Sequence, residues 1–111
     1  MIQKTIATKT PLRICLTGGN DLIPYVRECG GDAFGATIDK FVNIRVSPGS
    51  DSRISLEYPD GRETVSAPEE IAHPIIREAL LLHRPRGGLE IITSSDVPPG
   101  SGLGSSGAFT V

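Results

Sequence analysis

Pro98-Pro99-Gly100-Ser101-Gly102-Leu103-Gly104-Ser105-Ser106-Gly107 sets four glycines and three serines directly ahead of an apolar run, Ala108-Phe109-Thr110-Val111. Glycine reaches positive φ without strain and lets a ligand approach the backbone closely. Ser105 or Ser106 suits the cap of a helix starting there, whose first backbone N–H groups lack partners within the helix. A curled glycine-rich backbone leading into a helix start is an anion site, because amides and dipole both favour negative charge. The stretch therefore predicts a cradle for nucleotide phosphates built from Pro99, Gly100, Ser101, Gly102, Leu103, Gly104, Ser105, Ser106 and Gly107. Its spacing also suits a flexible Gly/Ser loop with an ordinary helix cap.

Two better-known glycine motifs fit less well. A P-loop needs Gly-Lys-Ser/Thr, and no lysine follows Lys40. Gly102-x-Gly104-x-x-Gly107 matches the dinucleotide fingerprint in letters, but there the first glycine turns straight off a strand. Here Pro98-Pro99 separates Gly102 from the strand candidate Leu89 to Ser94. A dinucleotide-binding oxidoreductase is set aside on that ground.

Working outward, Leu89-Glu90-Ile91-Ile92-Thr93 reads as the strand feeding the loop, and Gly87-Gly88 ends the helix before it. Ile71, Ile75, Ile76, Ala79, Leu80 and Leu82 recur at helical spacing. Ser66 and Pro68 suit that helix's start, and Pro74 is expected to bend or restart it. Ile54, Leu56 and Tyr58 alternate with polar residues, and Pro59-Asp60-Gly61 turns the chain into Glu63-Thr64-Val65, a hairpin. Ala33 to Ile38 and Phe41 to Val46 read as two strands joined near Asp39-Lys40. Leu22 to Cys29 suits a short helix ending at Gly30-Gly31. Lys4 to Thr8 is a weak edge strand, and Leu12, Ile14 and Leu16 alternate as a separate half-buried one. Strands, helix, strand, glycine loop and helix together predict an α+β fold, a mostly antiparallel sheet with helices on one face.

Composition narrows the function class. The 111 residues suffice for one small domain but not a two-lobed enzyme. A net charge of −2 from 11 basic and 13 acidic residues, spread along the chain, gives no basic block for nucleic acid. No apolar run approaches the length of about 18 residues that a membrane span needs. Met1 to Thr5 lacks the apolar core of a signal peptide, so a cytoplasmic setting is expected, with Cys15 and Cys29 as reduced thiols. Ser105 to Val111 gives only about two helical turns and ends on apolar residues without a cap signal. A piece of a longer protein is therefore expected.

A second constellation is Pro11-Leu12-Arg13, followed by Gly18-Gly19-Asn20-Asp21. Arg13 either faces solvent on the polar side of an amphipathic strand or supplies a fixed guanidinium to a carboxylate and to transferred phosphate. Asp21 is either a turn-forming residue or an acceptor for substrate hydroxyls.

Together these stretches resemble the GHMP kinases, the superfamily of galactokinase, homoserine kinase, mevalonate kinase and phosphomevalonate kinase. Pro98-x-Gly100-x-Gly102-Leu103-Gly104-Ser105-Ser106-Gly107 is similar to the second motif of that family, with Gly107 where alanine is commoner. Pro11-x-Arg13 with Gly18-Gly19 and Asp21 resembles the first motif. Gly30-Gly31 and Ala36-Thr37-Ile38-Asp39-Lys40-Phe41 continue it in the form found in heptose-phosphate and fucose kinases. Those kinases usually read Gly-Gly-x-Thr-Asp, whereas this chain has Gly18-Gly19-Asn20-Asp21, one residue shorter and without threonine. The hairpin and long helix in between match only in order.

The resemblance implies a fold like the second domain of ribosomal protein S5, and transfer of the γ-phosphoryl of ATP to a hydroxyl of a sugar or sugar phosphate. It implies ATP and Mg²⁺ as cofactors, with Ser106 binding the metal and Ser105 assisting. Arg13 would orient the catalytic carboxylate, and Gly18, Gly19, Asn20 and Asp21 would contact the acceptor. It places the catalytic aspartate and a third glycine-rich motif beyond Val111. Residues 1–111 are then part of an N-terminal ATP-binding domain, cut in the helix after the loop and inactive alone. The alternative is a non-catalytic module that binds nucleotide or phosphate.

Overall fold

The computed structural model describes residues 4–17 and 23–111. Gly18, Gly19, Asn20 and Asp21, expected to contact the acceptor, lie outside the described residues, as does Leu22. Five strands, β1 (Ile6–Thr17), β2 (Phe34–Pro48), β3 (Ile54–Tyr58), β4 (Gly61–Val65) and β5 (Leu89–Ser95), form one sheet in the order β1-β2-β5-β3-β4. Three of the four pairings are antiparallel, and β3 and β5 run parallel. Helices α1 (Ile23–Cys29), α2 (Pro74–His83) and α3 (Ser105–Thr110) complete the described fold. The α+β class with a mostly antiparallel sheet is as expected. No helix among the described residues is long and apolar enough to cross a membrane.

Alternation decides which face is buried. Ile54 and Leu56 on β3, and Leu89, Ile91 and Thr93 on β5, all point to one side and are buried. Ile71, just after the turn at Pro68–Glu70, and Ile76 in the first turn of α2 close over them, making one core cluster. Leu12, Val42 and Ala108 form a second, under α3. Ile44 and Phe109 pack against both clusters, so α2 and α3 cover the same face. Each fully buried Leu or Ile contributes about 1.5–3 kcal/mol relative to exposure.

Two pairs of expected strands fuse. Ile6 to Thr8, from the expected strand Lys4 to Thr8, and Leu12 to Leu16 belong to the single strand β1, and the two segments around Asp39-Lys40 meet in β2. Pro11 interrupts neither strand, because β1 lies at the sheet edge, where a missing N–H is tolerated. The interruption appears instead as an irregular register between Pro11 and Arg13. β5 pairs only with Val42 to Pro48, so the first half of β2 and the end of β1 run on as a two-stranded ribbon.

The hairpin is as expected, with Tyr58 opposite Gly61. Pro74 restarts the helix rather than bending it. Pro68–Glu70 is a short 3-10 turn, and α2 begins at Pro74. Ser66 is not its cap. The residue in that place is His73, whose Nδ1 accepts from the backbone N–H of Ile76 at 3.5 Å. The helix also stops before Gly87. Arg84 takes the left-handed conformation at φ 44° and donates its N–H to the Leu80 carbonyl at 2.8 Å.

Candidate functional site

The glycine loop is held at both ends and open at its tip. At the start, the Phe41 N–H donates to an Asp96 carboxylate oxygen at 2.7 Å, and the Asp96 N–H donates to the Phe41 carbonyl at 3.0 Å. Val97 and Leu103 then tuck against the Leu12–Val42–Ala108 cluster, anchoring the chain on either side of the turn. Pro98, Pro99, Gly100, Ser101 and Gly102 between them are exposed. Gly100, Gly102 and Gly104 all have positive φ, at 78°, 74° and 75°. This alternation of left-handed glycines curls the backbone, and it requires glycine at each of the three positions.

Arg13 meets the loop at its far end. Its backbone N–H donates to the Leu103 carbonyl at 2.9 Å. A β-carbon built on Gly104 would stand 2.9 Å from both Cγ and Nε of Arg13, so the arginine stem lies directly over that glycine. Arg13 is exposed, as the amphipathic pattern of its strand has it, and at the same time it borders the loop. No carboxylate among the described residues forms a salt bridge with it.

The helix cap differs from expectation. Gly104 occupies the N-cap of α3, and no side chain caps it. Neither Ser105 nor Ser106 does so, because α3 already begins at Ser105. Ser105 is half-buried and Ser106 exposed. The amides opening α3 are thus left without a side-chain acceptor. Gly107 lies within the helix, and a β-carbon there would meet nothing within 4 Å. Gly107→Ala is expected to stabilise the domain by about 0.5–1 kcal/mol, the usual gain over glycine in a helix interior. Thermal unfolding of the two proteins checks it.

The structure brings Arg13 to the residues from Gly100 to Gly107. It does not describe Gly18, Gly19, Asn20 or Asp21, so the other half of the candidate site is not placed. An open apolar cleft of about 620 Å³ lies between α2, α3 and β2, lined among others by Ile44, Val46, Leu80 and Phe109. No residue of Gly100–Gly107 lines it, so it is separate from the loop. Asp96 and His73 shape the loop's surroundings without standing out in the sequence. A histidine directly ahead of Pro74 is the available signal, because proline favours the first helical position and the residue before it then falls at the cap.

A curled glycine loop, resting on a strand arginine and set on a mostly antiparallel α+β sheet, defines the class. Residues 70–111 match the family described as GHMP kinases N terminal domain. With the sheet and the loop, this makes the chain similar to the N-terminal part of GHMP kinases. The match takes in α2, beyond the two stretches that carry the sequence resemblance.

Among particular relatives, the chain is 29% identical over 124 aligned positions to the D-glycero-alpha-D-manno-heptose 7-phosphate kinase of Campylobacter jejuni. That alignment covers 98% of this chain and 36% of the relative. The crystal structure of a D-glycero-D-manno-heptose 1-phosphate kinase from Bacteroides thetaiotaomicron superposes with a TM-score of 0.76 at 25% identity, over 91% of this chain and 37% of that one. Lactococcus lactis galactokinase, solved with galactose, shares the fold with a TM-score of 0.72 at 19% identity, over 98% of this chain and 31% of its own. The chain thus spans roughly a third of the length of these relatives.

Proposed function

We propose that residues 1–111 are part of the N-terminal ATP-binding domain of a cytoplasmic kinase that transfers the γ-phosphoryl of ATP to a hydroxyl of a sugar or sugar phosphate. The observation that carries this is the seat of Arg13 against Gly104 within the curled loop. Three left-handed glycines, uncapped helix amides and a guanidinium stem converge there, and all favour a polyphosphate. The residues present fit the group. The loop tip is exposed, and β-carbons at Gly100 and Gly102 would meet nothing within 4 Å, so the backbone is open to a ligand.

In this reading Pro99, Gly100, Ser101, Gly102, Leu103, Gly104, Ser105, Ser106 and Gly107 hold the phosphates. Arg13 positions a catalytic carboxylate supplied outside these residues, and Gly18, Gly19, Asn20 and Asp21 contact the acceptor. No group of three or more His, Cys, Asp or Glu among the described residues stands ready to hold a metal ion. Ser106, exposed at the start of α3, is the hydroxyl assigned to Mg²⁺, with Ser105 beside it. When bound, Mg²⁺ neutralises charge on the phosphates as the transferred group leaves. The heptose-phosphate kinases among the relatives make a phosphorylated heptose the first acceptor to try.

The test is the full-length protein with ATP, Mg²⁺ and a panel of free and phosphorylated hexoses and heptoses, with ADP release coupled to detection of the sugar phosphate. Acceptor-dependent turnover is expected from the full-length protein and none from residues 1–111 alone. MgATP binding without turnover on any acceptor would favour a non-catalytic nucleotide-binding module instead.

Ser106→Ala in the full-length protein is expected to lower kcat about 10²-fold, as for comparable electrostatic deletions, with a smaller effect on nucleotide affinity. Steady-state kinetics at saturating Mg²⁺ check it. Unchanged turnover would move the metal to Ser105 or another group.

A further inference from the structure

Three rings stack where the hairpin, α2 and α3 meet. His73 is the middle one. Its ring lies 5.7 Å from that of Tyr58 at an interplanar angle of 16°, and 4.8 Å from that of Phe109 at 20°. Each outer ring belongs to a different element, Tyr58 to the end of β3 and Phe109 to α3. His73 itself is fixed from three directions. Its carbonyl accepts from the Arg77 N–H at 3.0 Å, and its Nδ1 faces the Ile76 N–H. Just before it, the Ala72 N–H donates to one Glu63 carboxylate oxygen at 3.3 Å, and the Tyr58 hydroxyl donates to the other at 2.5 Å. Burial and that carboxylate together push the Tyr58 phenol above its ordinary pKa, so the hydroxyl keeps the proton it donates.

Phe109 follows Ser105 by one helical turn and shares its side of α3. The ring stack therefore contributes, with buried Ala108, to setting the rotation of α3 about its own axis. That rotation sets where the amides of Ser105 and Ser106 point, and where Gly104 meets Arg13. α3 is only six residues long and has no side-chain cap, so its orientation rests on this stack and on Ala108, buried against Leu12 and Val42.

We propose that His73 is a positioning residue for the phosphate loop, acting through its stack on Phe109. This rests on the reading of Gly100–Gly107 as a nucleotide-phosphate site. The ring and the cap acceptor of His73 are separable by substitution. His73→Asn keeps an acceptor for the Ile76 N–H and removes the ring, while His73→Phe keeps a ring and removes the acceptor.

The experiment uses the full-length protein, with MgATP as probe by calorimetry and thermal unfolding run in parallel. His73→Asn is expected to weaken MgATP binding about three- to tenfold, the scale of one aromatic pair, with a lower unfolding midpoint because both stacking contacts are lost. His73→Phe is expected to retain the affinity while losing some thermal stability. Phe109→Leu should reproduce the Asn effect, and the double variant should be no worse than either single one, because both remove the same contact. It also serves as the probe if the Asn variant fails to fold.

Wild-type MgATP affinity in His73→Asn and in Phe109→Leu would overturn the positioning role and leave the kinase reading standing. Equal losses of affinity in Asn and Phe variants would overturn it as well, since the ring would then be irrelevant. No MgATP binding by the unsubstituted protein would overturn the loop reading and, with it, this role.

Discussion

Gly104→Val in the full-length protein is expected to weaken MgATP binding about 10²-fold while leaving far-ultraviolet circular dichroism unchanged. Gly104 sits at φ 75°, a conformation that a β-branched residue adopts only under strain. Holding a non-glycine residue there costs about 1–3 kcal/mol. The new side chain would also stand against the Arg13 stem, where a β-carbon already comes within 2.9 Å of Cγ and Nε. The loop escapes by leaving its curled form, which costs little in the fold because its tip is exposed. Apparent affinity then falls by the fraction of molecules that keep the binding-competent curl. Gly104→Ala carries the backbone strain without the branched side chain, so its loss should be smaller. Calorimetry with MgATP on the three proteins checks the order. Wild-type affinity in the valine variant, with an intact fold, would show that nucleotide does not use this backbone.

Gly88→Ala is expected to destabilise the domain by about 3 kcal/mol or more, at the upper end for overpacking, and to lower the unfolding midpoint by roughly 10 °C. A β-carbon at Gly88 would fall 1.8 Å from the Asp51 carbonyl oxygen and 2.8 Å from that of Arg53. Both obstacles are backbone, so no side-chain rotation relieves them. The crossing is tight because the segment after β2 passes against the entry to β5. The Gly49 N–H donates to the Gly88 carbonyl at 2.9 Å, and the Leu89 N–H donates to the Arg53 carbonyl at 3.0 Å. Moving Gly88 disturbs the register of β5 with both of its neighbours, since Leu89 pairs with Pro48 on one side and Ile54 on the other. Gly87→Ala is the internal control. Gly87 has φ 89° with nothing within 4 Å of a β-carbon, so it carries backbone strain alone and should lose less. Equal melting points for the two alanine variants would mean that the collision at Gly88 is relieved without cost.

Local chemistry made much of the architecture legible. The hairpin follows from alternation at Ile54, Leu56 and Tyr58 meeting the turn at Pro59-Asp60. A bend or restart at Pro74 was legible, because its ring fits only the first helical turn, whereas the start suggested by Ser66 and Pro68 is not that of α2. The glycine loop is legible for the same kind of reason. Positive φ at Gly100, Gly102 and Gly104 is a property that the residue type itself permits. Alternation alone does not show that Thr8 and Leu12, or the segments on either side of Asp39-Lys40, lie on continuous strands. An edge position and a register shift absorb Pro11, and the sheet order shows that the whole of β1, not only the expected edge segment before Thr8, lies at the edge.

The candidate site divides along the same line. Its residue types, and the curl of its loop, are set by the sequence, because backbone preference acts within a few residues. That Arg13 lies over Gly104 is a different matter, since those two residues are far apart in the chain and meet only once β1 and α3 share the cluster of Leu12, Val42 and Ala108. The stack of Tyr58, His73 and Phe109 joins three elements in the same way. His73 looks in sequence like a residue before a proline and no more. Which rings meet is decided by how α2 and α3 pack side by side on one sheet face, and that packing depends on burial over the whole core, to which no short motif is sensitive.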